Sequence, residues 1–325
     1  MELKALLDGS WRDISYMIES VRNSGRLANA ARTMSFEVVV SPDDPDLPYL
    51  FIPPGTAVEL FSRGESRFRG IVQGRTKATN ATTMTVTAYD FGFFLARSEF
   101  TGRFDNCTPE AAAAQLCSRY GVPTAGLAAT GIPLTRKFKD VKLYSAIDTM
   151  YTLASRQNGK VYVYRFNRAA LQIRERSLTQ ADHEIIMPGK DLINAAYSDS
   201  VENAVNAVHI FDKNGTEIGN LTDAESIAAY GLRSNNITQG DSDAYAEARA
   251  LMEEHAFDRT CTLTVLDRDE IRTGDTILLR EPFTGQNGLF WVDADTTTWA
   301  NGMVQTQLTL SYKAMMREGE AGNAE

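Results

Sequence analysis

Histidine and cysteine are scarce in this chain, three of each in 325 residues, and basic residues are outnumbered by acidic ones, 33 to 42. Each shortage excludes something. Cys107, Cys117 and Cys261 fall at no metal-ligand spacing, and an odd number does not make a disulfide framework, so they read as buried thiols. His183 stands in Asp182-His183-Glu184, a polar loop with no second ligand at helical or strand spacing. His209 lies between Val208 and Ile210 in an expected strand, sharing a face with Ala207 and Phe211, as a structural histidine does. His255 is the third, and no metal site is assigned to any of them. A net charge of -9 argues against a nucleic-acid reader, which carries a basic footprint. No apolar run approaches the roughly 20 residues of a membrane span. The opening Met1-Glu2-Leu3-Lys4 lacks a basic-then-apolar segment, so no secretory leader is expected and the chain is expected to be soluble in a reducing cytoplasm.

Catalytic signatures are equally thin. Neither a G-x-x-x-x-G-K-[ST] loop nor a G-x-G-x-x-G is present, and Gly-x-Ser-x-Gly is missing. Paired carboxylates are the minimum a glycosidase needs. Asp267, Asp269 and Glu270 sit in a turn, and Glu253 with Glu254 lie on a helix whose apolar Leu251 and Phe257 face elsewhere; both groups read as solvated surface charge. Asp293 and Asp295 alternate along one strand at a spacing that could hold a hard cation, but no oxygen-rich loop surrounds them. Phe36, Phe68, Tyr89, Phe290 and Trp291 lie in strands without interleaved positive charge, which makes them core or interface anchors rather than stacking platforms. No catalytic, cofactor-binding or metal residue is therefore assigned, and no cofactor is expected.

What the chain does contain is an internal echo. Arg32-Thr33-Met34-Ser35-Phe36-Glu37-Val38 is matched by Arg259-Thr260-Cys261-Thr262-Leu263-Thr264-Val265, with apolar residues at every second position in both. Gly55-Thr56-Ala57-Val58 and Gly274-Asp275-Thr276-Ile277 follow, then Gly70-Ile71-Val72 and Gly288-Leu289-Phe290, then Met84-Thr85-Val86-Thr87 and Leu308-Thr309-Leu310-Ser311. Period-2 alternation gives each copy a small antiparallel sheet with one dry face.

Length and composition suit two to three globular domains. Residues 1–98 read as strands forming a first β-barrel, broken by a Pro-rich connection at 41–54 and sealed by a helical turn at Phe91-Gly92-Phe93-Phe94-Leu95. Residues 99–190 read as an α/β module. Thr108-Pro109-Glu110 opens one helix, which Gly121 stops, and 145–157 forms another ended by Asn158-Gly159. A hairpin follows, 160–165 and 170–174, turning across 166–169. Residues 191–314 read as a second barrel, with a type I′ turn at Asn214-Gly215 and a helical insertion at 223–257. Residues 315–325 are expected to be a flexible acidic tail. The fold class is mainly β with an α+β insert: two similar small antiparallel barrels around an α/β middle module.

The order of these features resembles a known family. Asp13-Ile14, Ser24-Gly25, Ala31 to Phe36, Gly70-Ile71-Val72 and Tyr89-Asp90 form one half; Tyr230-Gly231-Leu232, the helix with Ala244, Ala248 and Leu251, 273–277 and Leu308-Thr309-Leu310 form the other. Together they look like the baseplate hub proteins of contractile phage tails, the late-control protein D-like hubs of PBSX-type prophages and phage-tail bacteriocins. The resemblance implies a homotrimer whose two barrels per subunit make a pseudo-hexameric ring, a symmetry adapter joining a six-fold tail tube protein to a three-fold central spike protein. Its implied partners also include other baseplate proteins and a tape-measure protein in the channel, and its location is a virion or phage-tail-like particle assembled in the bacterial cytoplasm. No catalytic residues carry over, and the short remainder after the second barrel is not expected to hold a lytic domain.

Three subunits meet six equivalent sites only when each offers two near-equal faces. Such a contact is expected to bury roughly 2,000 Å² or more. The acidic balance suggests a channel wall that repels phosphate. Two rival functions are a peptidoglycan-degrading tail enzyme using carboxylates of the middle module, such as Asp140 or Glu175, and a glycan- or nucleic-acid-binding barrel.

Overall fold

The computed structural model describes residues 1–40, 50–78, 81–240, 243–255 and 258–324. Most of the connection expected at 41–54 lies outside the described residues, as do Ser242 and Phe257 of the helical insertion. In chain order the elements are β1 (Glu2–Leu7), β2 (Ser10–Asp13), β3 (Ile18–Arg26), β4 (Thr33–Val39), β5 (Ala57–Ser62), β6 (Glu65–Lys77), β7 (Thr83–Asp90) and α1 (Gly92–Arg97). Next come β8 (Glu99–Cys107), α2 (Pro109–Arg119), β9 (Thr124–Leu127), β10 (Leu134–Lys142), α3 (Leu143–Asn158), β11 (Tyr162–Asn167) and β12 (Ala170–Glu175). The remainder is β13 (His183–Ile186), β14 (Leu192–Ser200), β15 (Ala207–Phe211), β16 (Glu217–Thr222), α4 (Ala224–Tyr230), β17 (Ser234–Thr238), α5 (Ala244–Glu254), β18 (Asp258–Leu266), β19 (Thr276–Glu281), β20 (Gln286–Ala300) and β21 (Met303–Ser311). The chain is mainly β, with antiparallel sheets and a few helices, as its alternating pattern requires. It divides into two compact units, Met1–Ala195 with Thr262–Glu325, and Ala196–Cys261.

The larger sheet runs β14-β18-β21-β20-β3-β4-β7-β6-β5-β1-β2, with β19 and β13 branching from β20. The order β3-β4-β7-β6-β5 thus recurs as β14-β18-β21-β20-β19. Local details repeat as well. Gly55 N donates to Val72 O at 2.8 Å and Gly274 N to Val292 O at 2.9 Å, while Val40 N donates to Thr82 O and Asp267 N to Val304 O. A bulge interrupts β6 between Val72 and Gly74 and β20 between Val292 and Ala294. These matches correct the sequence echo in one respect. The counterparts of Gly70-Ile71-Val72 are Phe290-Trp291-Val292, two residues beyond the expected glycine, because Val58 pairs with Gly70 as Ile277 pairs with Phe290. Likewise Val86, not Met84, occupies the place of Leu308. The copies part company at the end of the run, where β1 is antiparallel to β5 but β13 is parallel to β19.

Alternation explains the cores. Met34, Phe36 and Val38 of β4, Val86 and Ala88 of β7, and Leu308 and Leu310 of β21 are all buried, while the intervening threonines and serines face out. In the middle module Thr108 Oγ1 caps α2 by accepting from Ala111 N, and Gly159 ends α3 in the left-handed region that glycine adopts without strain. Leu116, Ile147, Met150 and Phe138 form the module's core, against which Leu171 and Ile173 of β12 pack. The hairpin is tighter than expected: Asn167 pairs with Ala170, leaving a two-residue turn with Arg168 at φ 53°.

In the smaller unit β15 lies between antiparallel β16 and parallel β17, and α5 packs Ala244 and Ala248 against Val208 and Ile210. The turn after β15 is not type I′. That type needs two positive φ angles, and here Gly215 has one while Asn214 does not. Instead the Asp212 carboxylate accepts from Asn214 N and Thr216 N at 2.8 Å each, holding a longer loop with a bulge. β17 lies between the two helices of the insertion, although Ser-Asn-Asn-Ile-Thr shows no alternation that marks a strand.

The C-terminal segment also departs from expectation. It follows α3 instead of leaving the body: Gly319 N donates to Thr152 Oγ1 at 3.1 Å, Ala321 N to Thr149 Oγ1 at 2.9 Å, and Asn323 pairs with Lys137. A Cβ on Gly319 would lie 2.6 Å from Thr149 N, so the close approach needs glycine there.

Candidate functional site

Charged side chains that look scattered in the sequence meet inside the larger unit. Arg32, just before β4, grips Asp295 of β20 with two bonds of 2.8 and 2.5 Å, and Asp295 also accepts from Thr273 N and Oγ1 at 2.7 and 2.6 Å. Burial opposes the charge on Arg32, yet the facing Asp295 carboxylate raises its pKa above the ordinary range. Gly25 on neighbouring β3 makes room, since a Cβ there would run into the Arg32 guanidinium.

A second centre forms around Asp275. It accepts from Arg174 at 2.5 Å, Arg165 at 3.1 Å, His183 Nε2 at 3.0 Å and Arg272 N at 2.9 Å. Burial pushes this carboxyl up, but the hydrogen bond from His183 and the two arginines hold it below the usual range. Arg176 is fully buried and donates to Met315 O, Val292 O and Asp293 at 2.6, 2.9 and 3.2 Å. Burial pushes its pKa down, and it pushes that of Asp293 up.

A cleft opens beside these groups, lined by Tyr151, Tyr162, Tyr164, Asp90, Asp148 and Arg317 among others. Asp148 on α3 is held by Arg317 at 2.5 and 3.0 Å, and that guanidinium lies over the rings of Tyr144 and Tyr164. Burial pushes Asp148 up to about 7 in spite of Arg317. Asp90 accepts from Gly92 N at 3.0 Å, and burial pushes it up to about 7 against the pull of Arg32.

The Asp90 shift has a measurable sign. An aspartate whose folded pKa exceeds its unfolded value of about 3.9 contributes stability that is complete below that value and lost as pH rises through the folded pKa. Asp90→Asn, which keeps an acceptor for Gly92 N, is therefore expected to reduce the loss of stability between about pH 5 and about pH 8. Urea midpoints of both proteins at the two pH values measure it; an unchanged pH slope counts against the shift.

Sequence-level candidates land unevenly. His183 is not in a loop but opens β13 and bonds buried Asp275, while His209 is half-exposed and 2.8 Å from Glu217. His255 caps α5, its carbonyl accepting from Val205 N. Asp267 is exposed and pairs with Arg63, but Asp269 is buried beside Arg67 rather than solvated. Glu270 holds Arg268, and Glu253 is exposed. Asp293 and Asp295 do not converge on a common space: one faces Arg176, the other Arg32. Asp140 bonds Thr101 and Glu175 bonds Lys160, both on the surface and in different sheets. Cys117 and Cys261 are buried, and Cys107 is half-buried. Phe36, Phe68 and Phe290 are core residues, Tyr89 stacks on Phe93, and Trp291 donates to Ser177 O. Among the described residues no group of three or more His, Cys, Asp or Glu side chains could hold a metal ion. No described helix is long and apolar enough to cross a membrane.

The outer face of the main sheet has its own chemistry. Across β21, β20, β3 and β4 the paired residues run Gln307, Thr296, Ser24, Thr33, and the next row runs Gln305, Thr298, Arg22, Ser35, Thr87 into β7. A third row runs Met303, Ala300, Ser20, Glu37 and Thr85, with Thr85 Oγ1 donating to Glu37 at 2.9 Å. Arg22 and Glu37 are the charged residues of these rows. The surplus of negative charge is therefore not gathered on this hydroxyl- and amide-rich face.

No curated protein matches the chain. Among solved structures it is similar to the 43 kDa tail protein of prophage MuSo2 from Shewanella oneidensis, with a TM-score of 0.72 and 13% identity over 95% of this chain and 97% of that one. It is similar also to a tail protein from Neisseria meningitidis MC58, with a TM-score of 0.66 and 13% identity over 98% of each chain. The E. coli c3393 protein, a component of the type VI secretion system, matches with a TM-score of 0.55 and 10% identity over 94% of this chain and 76% of that one. The fold is thus one shared with phage tail proteins, and with the YQBQ-like family model matching residues 21–311, the chain belongs to the YQBQ-like family.

Proposed function

We propose that this protein is a structural hub of a contractile tail or related injection machine, in which three copies adapt a six-fold tail tube to a three-fold spike. The observation that carries this reading is the repeated strand order, β3-β4-β7-β6-β5 and β14-β18-β21-β20-β19, joined within one chain by the β20 to β3 ladder. A threefold body built from such chains offers six similar modules, which is what contact with a hexameric ring demands. Support comes also from the tail proteins that share the fold, and from the type VI secretion component among them. The polar sheet face suits a channel wall past which cargo slides, since short hydroxyl side chains offer little apolar area to hold it. The role is mechanical, with no bond made or broken. Its site is the baseplate of the particle, with the tube, the spike and neighbouring baseplate proteins as partners.

Mass measurement of the purified chain, with electron microscopy down the symmetry axis, tests the proposal. The expected result is three copies in a ring of six similar lobes. A monomer at all concentrations, or a ring with another count, overturns it. Clearing of peptidoglycan in a zymogram by the wild type, abolished by Asp140→Asn or Glu175→Gln, would favour an enzyme instead.

A further inference from the structure

The β20 to β3 ladder has a counterpart that one chain cannot complete. On one side β20 pairs with β21; on the other it pairs with β19 up to Trp291 and then, past its bulge, with β3 from Ala294 to Ala300. β6 is built the same way. It pairs with β7 on one side and with β5 on the other only up to Ile71, after which its bulge turns residues 74–77 away. Among the described strands nothing lies on that side of residues 74–77. Exposure follows: Asp295 and Thr297 of β20 are buried at 2% each, whereas Arg75, Thr76 and Lys77 of β6 are exposed. The complementary edge is on β14, the counterpart of β3. β3 has β4 on one side and β20 on the other, while β14 ends the sheet beyond β18.

We propose that β6 of one copy pairs through residues 74–77 with β14 of the next copy, repeating between chains the ladder that β20 and β3 make within one. This rests on the trimeric reading above and names the contact that closes it. Each copy then carries one edge of each kind, so the contact is head-to-tail and runs around a ring instead of ending in a dimer. Backbone groups of both edges gain partners, as in strand addition to a sheet, and two exposed edges that would invite aggregation are covered. Charge agrees, with Arg75 and Lys77 on one edge and Asp199 on the other.

Disulfide trapping tests it in the full chain. Thr76→Cys is combined in turn with Ala196→Cys, Tyr197→Cys and Ser198→Cys, because Thr76 holds the place of Thr296, whose partner Ser24 corresponds to Tyr197. Each single substitution is a control, and light scattering reports the mass of every protein. The expected result is covalent dimers and trimers under mild oxidation that alternate along β14, strong at 197 and weak at 196 and 198 or the reverse, because successive side chains face opposite ways. A light-scattering trimer in which none of the three pairs crosslinks above the single-cysteine controls, or all crosslink equally, overturns the ladder and leaves the trimer standing. A monomer at every concentration overturns both.

Discussion

Arg32→Met is expected to cost about 3–5 kcal/mol of folding stability, the range for stranding one member of a buried ion pair. Asp295 is almost fully buried, so without the guanidinium it loses both of its charged hydrogen bonds and keeps those from Thr273 and the field of the nearby Arg272. The loss is sharper than that of a surface pair because water cannot replace the missing partner. A second substitution separates charge from packing. Asp295→Asn on the Arg32→Met background removes the stranded charge while keeping an acceptor for Thr273, and is expected to recover roughly 1–3 kcal/mol. Urea unfolding of the two singles and the double measures both effects. A single variant within about 0.5 kcal/mol of the wild type would mean that the pair does not tie the two halves together.

Removal of residues 315–325 is expected to destabilise the larger unit by a similar amount, about 3–5 kcal/mol, although the segment is short and polar. It takes away Arg317 from buried Asp148, the Met315 carbonyl from Arg176, and the donors that Gly319 and Ala321 give to α3. A flexible appendage would cost within about 0.5 kcal/mol, so the measurement discriminates cleanly. Asp148→Asn in the shortened chain is expected to restore part of the loss, since it neutralises the carboxyl left behind. Equal stability of the shortened and full chains would return the segment to the status of a loose end.

Much of the local structure was legible. Thr108 and Pro109 announced a helix start, Gly159 a helix stop, and the alternation in Arg32 to Val38 and Arg259 to Val265 announced two strands with one dry face. The echo between the halves was visible for the same reason. Its register was not: a shift of two residues leaves every side chain on its own face, so period-2 patterning cannot tell Gly288 from Phe290 as the partner of Gly70. The turn at Asn214-Gly215 went astray because Asp212 supplied hydrogen bonds that the dipeptide alone does not reveal.

The charged interior was hidden for a different reason. Arg32 and Asp295 are 263 residues apart, and Arg176, Asp269 and Asp275 look like ordinary surface charge until strands from both halves close over them. The sequence by itself determined which faces are dry, where helices begin and end, and that the chain is written twice, because these depend on neighbours a few residues away. Only the tertiary structure decided which charges pair, which polar tail is held, and which strand edges have no partner among the described strands, because those depend on distances that folding alone creates.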